Sequence, residues 1–427
     1  MVQAMTGRWP TLGALMVGVM LLAGSVSGQT DEKENPLREE LLKLNAATSE
    51  EVQNAKFRAL LKDRAKARLA VAEAAKMMKE AKDKEKPFNY NGTLILARLA
   101  HVLRDYDNAE RFYEHQVKLA TDIKSGPKML TAYEGLIDLY FDAKRYNDVI
   151  RVCEEVVDLT APKEVVDAQP FVLERLIQAK AKQGNTDEAL NMAKGLIEIT
   201  NGSWYFLQLK GWIQREAGKY TDAIATYTEV LDKIDATKDL KPEAKDKFKD
   251  DVRYILSGLY VDNKEIDKAA KQLQILIKRN PDKPGYKNDL GFIWCDNDMN
   301  LEESEKLIRE ALDLDRKQKE EKKKEGKIDV VTESAAYLDS MGWVLYKQKK
   351  YKEALEYLKK AAADEDEGNH LEIWDHLADC YMALGQKQEA IAAWEKGLKM
   401  EDLSKRDAER RRKITEKIRK AKGDTKD

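Results

Sequence analysis

Cysteine is nearly absent from this chain: three occur among 427 residues, at positions 153, 295 and 380, each at least 85 residues from the next. That spacing excludes a disulfide scaffold and the close Cys pairs of zinc sites, so packing must hold the fold. Histidine is equally sparse, with only His101, His115, His370 and His376. No HExxH, GxSxG, P-loop or GxGxxG occurs, which leaves metalloprotease, hydrolase and nucleotide chemistry without a candidate. An excess of one charge is lacking too: 75 Lys plus Arg face 77 Asp plus Glu, a formal net charge of -2. No bulk field draws in nucleic acid. What is plentiful is charge, 36% of residues, beside a 43% hydrophobic share. That apolar share is too large for a disordered polymer, and the composition reads as a charged, helix-rich folded protein.

The first 28 residues stand apart. Arg8 precedes an apolar run from Leu12 to Ala23, followed by Gly24, Ser25, Ser27 and Gly28. This is the three-part layout of a secretory signal peptide cleaved before Gln29. A dozen apolar residues fall short of the ~20 that span a bilayer. The expectation is export to the periplasm, cell envelope or exterior, with no membrane span in the mature chain.

From Asn91 to about Met400, pairs of amphipathic segments recur, joined by short turns that often carry Gly or Asn. The clearest copy has Trp374, Leu377, Ala378 and Tyr381, then Gly385, Ala390 and Trp394. The copy before it has Leu338, Met341, Gly342, Leu345, Ala354, Leu358 and Ala361. In both, large residues of two antiparallel helices close over small ones. On these residues the chain resembles the tetratricopeptide repeat family, in the style of its exported or envelope-associated bacterial members. The resemblance implies an all-α, right-handed superhelical solenoid.

With the small residue of each second helix as anchor, eight repeats appear, at Ala109, Val149, Ala189, Ala223, Ala269, Ser304, Ala354 and Ala390. Their spacings are 40, 40, 34, 46, 35, 50 and 36. Added junction residues lengthen loops without breaking a stack. Ile137 and Ile177 stand where a small residue is usual, so the second and third repeats rest on period more than on motif; Arg316 in place of the terminal proline does the same for the sixth. Proline interrupts helix interiors at ~3 kcal/mol, and Pro87, Pro127, Pro162, Pro170, Pro242, Pro281 and Pro284 all fall between the expected helices. Residues 29–86 form an N-terminal helical segment, an atypical leading pair made of Glu39–Leu44 and a helical stretch from Val52 to Lys82, 87–400 the array, and 401–427 a basic C-terminal capping helix and tail. The run from Arg316 to Lys327 reads as a solvated insert, helix-extending or disordered.

Binding, rather than catalysis, is what the resemblance implies, on the surface lined by the first helix of each repeat. Family groove positions fall here on twelve acids: Glu134, Asp138, Asp142, Glu174, Glu216, Asp251, Asp262, Asp296, Asp339, Glu372, Asp375 and Asp379. Only Arg98, Lys182, Arg215 and Lys347 oppose them. The Lys, Arg and Asn with which some members grip a terminal carboxylate are missing. The expected recognition residues are Trp212, Asn288, Phe292, Asp296, Asp339, Trp343, Tyr346, Asp375 and Asp379, and the expected partner is a protein or peptide with basic and apolar side chains. No cofactor or metal is implied. Asp296, Asp298 and Asn300 have calcium-loop spacing, but Leu301 and Leu307 replace the required Gly and Glu, leaving a polar turn. His376, between Asp375 and Asp379, reads as a helix-surface polar residue rather than a cation ligand. The alternative to groove recognition is polyanion or membrane-surface binding through Arg410, Arg411, Arg412, Lys413, Lys417, Arg419 and Lys420.

Overall fold

The computed structural model describes residues 36–81, 86–328, 330–364, 367–400 and 405–423. The expected leader over residues 1–28 lies outside them. Among the described residues every long element is a helix, and none is long and apolar enough to cross a membrane. The chain divides into two compact units, one ending at Leu240 and the other beginning at Lys241.

The N-terminal unit opens with α1 (Pro36–Leu42), α2 (Glu50–Leu61) and α3 (Arg64–Glu80). The single helix expected over 52–82 is thus two. Asp63, in extended backbone, accepts a hydrogen bond from the Lys66 amide at 3.0 Å and starts α3 afresh. Four hairpins follow: α4 (Tyr90–Val102) with α5 (Tyr106–Asp122), α6 (Gly126–Asp142) with α7 (Tyr146–Val157), α8 (Lys163–Lys182) with α9 (Thr186–Ile199), and α10 (Trp204–Glu216) with α11 (Tyr220–Ala236). The C-terminal unit holds four more: α12 (Pro242–Asp262) with α13 (Ile266–Arg279), α14 (Pro284–Asp296) with α15 (Leu301–Lys324), α16 (Ala335–Lys347) with α17 (Tyr351–Ala363), and α18 (Leu371–Ala383) with α19 (Lys387–Gly397). It ends with α20 (Lys405–Lys422). The insert after Arg316 extends α15 to 24 residues.

All eight anchor residues are completely buried. Each hairpin turn carries one residue in the left-handed region, at Arg104, Lys144, Gly184, Gly218, Lys264, Asp298, Lys349 and Gly385. The next amide then reaches back into the helix, as where Lys350 N donates to Leu345 O at 2.9 Å. Glycine adopts that conformation without strain, yet only three of the eight turns use it. Asn300 adds a second left-handed residue in the α14–α15 turn, the polar turn expected there.

Close approach within a hairpin depends on a small residue facing the partner helix. A Cβ on Gly342 would lie 2.5 Å from Leu358, and one on Gly211 2.7 Å from Tyr227. Where Ile137 and Ile177 replace that residue, the second and third hairpins still form, but α6 packs more closely on α5, and α8 on α7, than on their own hairpin mates. Gly135 admits the Tyr113 ring of α5 instead.

The proline reading needs correction. Pro127, Pro242 and Pro284 sit in the first turn of their helices, where no hydrogen bond is lost. Pro170, however, lies in the interior of α8. The helix continues through it because Val165, Ala168, Val172 and Leu176 bury on both sides of the break. The three cysteines are buried and free.

Candidate partner-binding face

In the N-terminal unit the first helices α4, α6, α8 and α10 present a row of paired charges. His101 Nε2 lies 2.9 Å from Asp142 Oδ2, Arg175 donates to Asp138 at 2.6 Å, and Lys182 donates to Glu216 at 2.8 Å. Trp212 belongs to this row, half-buried beneath the Lys182 ammonium at 5.4 Å. Burial raises the carboxyl groups of Asp138 and Glu174 above their ordinary range. Arg175, outside the family groove positions, makes this face more nearly balanced than sequence suggests.

The other eight expected residues lie in the C-terminal unit. Asn288, buried in α14, donates to Asp289 at 3.3 Å, and Asp289 accepts from Tyr254 at 2.7 Å. Asp296, at the end of α14, accepts from Trp343 Nε1 at 3.1 Å. Trp343 is stacked on both sides, 4.8 Å from the Tyr346 ring and 4.0 Å from that of His376. Phe292 closes on the same imidazole at 6.2 Å. Asp339 is buried and lies 3.0 Å from His376 Nδ1 through both its oxygens.

Two expectations change here. His376 is 1% exposed and is a core group, not a surface one. Burial disfavours its charged form, but the Asp339 carboxylate more than offsets this and raises its pKa. Trp343 and Asp339, expected as a free aromatic anchor and a free acid, are packing and ion-pair residues at 8% and 5% exposure. Helical spacing places side chains on one face; it does not show what the next helix lays across them.

The acids of α18 meet α20. Arg410 bonds Glu372 and, at 3.2 Å, Asp375. Lys417 donates to Asp375 at 2.7 Å and to Asp379 at 2.6 Å. Trp394 of α19 donates to Asp375 at 3.0 Å. Burial and the Asp375 charge push the Asp379 carboxyl up, against the pull of Lys417. At the other end of α20, Arg406 pairs with Asp262, the last residue of α12. The Arg410 guanidinium is held protonated, against the cost of burial, by Glu372, Asp375 and Asp296. A helix expected to cap only the last repeat therefore also reaches α12. Arg410, Ile414 and Lys417, spaced by four and three, form the contacting stripe, and Ile414 is fully buried. That spacing was present in the sequence, but the density of surrounding Lys and Arg concealed it.

An open cleft of about 530 Å³ adjoins α12 and α13. It is lined by Asp246 and Asp250, both paired with Arg279, and its lining is mostly charged rather than the apolar wall of a small-molecule site.

Stacked antiparallel hairpins, each closing over a buried anchor, define an all-α helical repeat solenoid. The fold is of the tetratricopeptide repeat type. Residues 329–397 match the family of the anaphase-promoting complex, cyclosome, subunit 3. No curated protein matches the sequence. Among solved structures, it is similar to a tetratricopeptide repeat protein from Parabacteroides merdae, at 14% identity and a TM-score of 0.43, covering 71% of this chain and 98% of that one. A chain of the APC/C hetero-tetramer Cut9–Hcn1 aligns at 14% identity and a TM-score of 0.42, covering 88% of this chain and 65% of that one. Yeast Tom70 aligns at 14% identity and a TM-score of 0.42, with 93% and 66% coverage. The chain thus spans about two thirds of the length of those last two. Its repeat type suggests a protein-interaction scaffold.

Proposed function

We propose that this protein is a non-enzymatic, exported scaffold that binds partner proteins on the first-helix faces of its repeats, and that the partner segments carry Lys or Arg beside apolar side chains. The observation that carries this reading is α20. The chain's own basic helix is held on the acidic face of the C-terminal unit by Arg410, Lys417 and Ile414, an internal example of the chemistry the face accepts. The same contacts count against polyanion binding, because they commit Arg410 and Lys417 to carboxylates and Arg411 to the carbonyl of Leu398 at 2.6 Å.

The experiment is site-specific photo-crosslinking in the native host. Crosslinkers at Glu134 and Asp251, exposed on first helices, should capture partners. Crosslinkers at Glu229 and Glu356, exposed on second helices, should not. Equal capture from both sets would overturn the assignment. Export rests on residues 1–28 alone, and N-terminal sequencing that finds Met1 on the bulk of native protein would remove it.

A further inference from the structure

The C-terminal helix does more on this face than close off the last repeat. Arg406, Arg410, Ile414, Lys417 and Ala421 recur every three or four residues, so they lie along one stripe of α20. Each meets the unit: Arg406 at Asp262, Arg410 at Glu372 and Asp375, Lys417 at Asp375 and Asp379, with Ile414 and Ala421 buried. Of the basic residues outside the stripe, Lys413 and Lys420 pair within α20, with Glu409 and Glu416 at 3.0 and 3.6 Å, whereas Lys422 pairs with Glu395 of α19 at 2.8 Å and Arg411 donates to the Leu398 carbonyl at 2.6 Å. Apolar anchoring is limited to Ile414, Ala421 and the partly buried Ile418, so attachment also depends on charge pairs whose Arg and Lys side chains are partly exposed, which salt screens. Seven residues, 398–404, connect α19 to α20. A link that short gives a tethered segment an effective concentration on the millimolar scale, enough to keep a weakly held helix in place.

We infer that α20 is an internal ligand, occupying the face until a partner helix with Arg or Lys at positions i and i+7 and an aliphatic residue at i+4 replaces it. This rests on the proposed reading of the face as a receptor and adds to it the partner's residue pattern and a built-in competitor. Apparent affinity for such a partner is reduced by the fraction of molecules in which α20 is seated. Detaching α20 should therefore strengthen binding in trans, whereas a helix that serves only as a structural cap should weaken the unit when detached.

The test uses the full chain and, as probe, a fluorescent peptide of residues 404–423, measured by anisotropy. Arg410→Glu with Lys417→Glu places acids against Glu372, Asp375 and Asp379 and should release α20. The double variant should bind the peptide at least tenfold more tightly than the parent. Spin labels at Lys264→Cys and Lys413→Cys report the release independently, as a lengthened distance when Arg410→Glu and Lys417→Glu are added. Equal peptide affinity for parent and variant, or a variant whose last hairpins melt with α20, would overturn the internal-ligand assignment and leave the receptor reading standing. No binding by either chain, with the spin labels showing α20 released, would overturn both.

Discussion

At the scale of single residues, His376 concentrates the energetics of the C-terminal unit. It faces Asp339 from α16, Glu372 from its own helix at 4.0 Å and Arg410 from α20, between the rings of Trp343 and Phe292. Its folded-state pKa is raised, so the stability it contributes is complete below the ordinary histidine value and is lost as pH rises through the raised one. Denaturant melts between pH 5.5 and 9 should show the parent losing stability upward, while His376→Gln gives a flatter profile. Asp339→Ala should cost about 3 kcal/mol or more, because it strands a buried imidazolium. Trp343→Ala, which the sequence alone marks as a binding change, should instead destabilise the unit by ~3 kcal/mol through the cavity it opens. A melt that leaves Trp343→Ala at parental stability would return that side chain to the surface. Which residues share a helix face was legible from spacing. Their roles were not, since His376 and Asp339 are 37 residues apart and no local pattern links them.

Among elements, the anchors were the most legible feature: all eight small residues are buried, because the hairpin cannot close unless that position is small. Less legible were the boundaries set by tertiary burial or by one side-chain cap, at Pro170 and Asp63. The seventh hairpin allows a paired test with opposite signs. Gly342→Ala drives a methyl toward Leu358 and the Ala354 carbonyl, at 2.5 and 3.2 Å, and should cost about 1–3 kcal/mol. Lys349→Gly relieves a left-handed residue at φ 64 and should gain roughly 0.5–1 kcal/mol. Urea melts of the two variants check both, and shifts of the same sign would contradict the hairpin geometry.

Over the whole chain, near-neutral charge conceals a division of labour, with acids on the first helices of the C-terminal unit and their counter-charges on α20. Sequence showed both clusters but not that one covers the other, since Asp262 and Arg406 are 144 residues apart. Because α20 is held by charge pairs and by few apolar side chains, the fully buried Ile414, worth ~2–3 kcal/mol, with Ala421 and Ile418 beside it, salt should loosen it selectively. Hydrogen exchange at 50 and 500 mM salt should show α20 losing protection about tenfold while α18 is unchanged. Uniform protection at both salts would mean that packing, not charge, fastens it.

The three buried cysteines carry a consequence for where this molecule can live. Burial pushes the Cys153 thiol up to about 12 and Cys380 up to about 11, with Cys295 raised as well. Little thiolate forms at neutral pH, and oxidation and exchange proceed through the thiolate. The fold is therefore indifferent to redox potential. With all three thiols free and buried, the fold has no crosslink among them for a reductant to break. Melting temperatures with and without millimolar dithiothreitol should coincide.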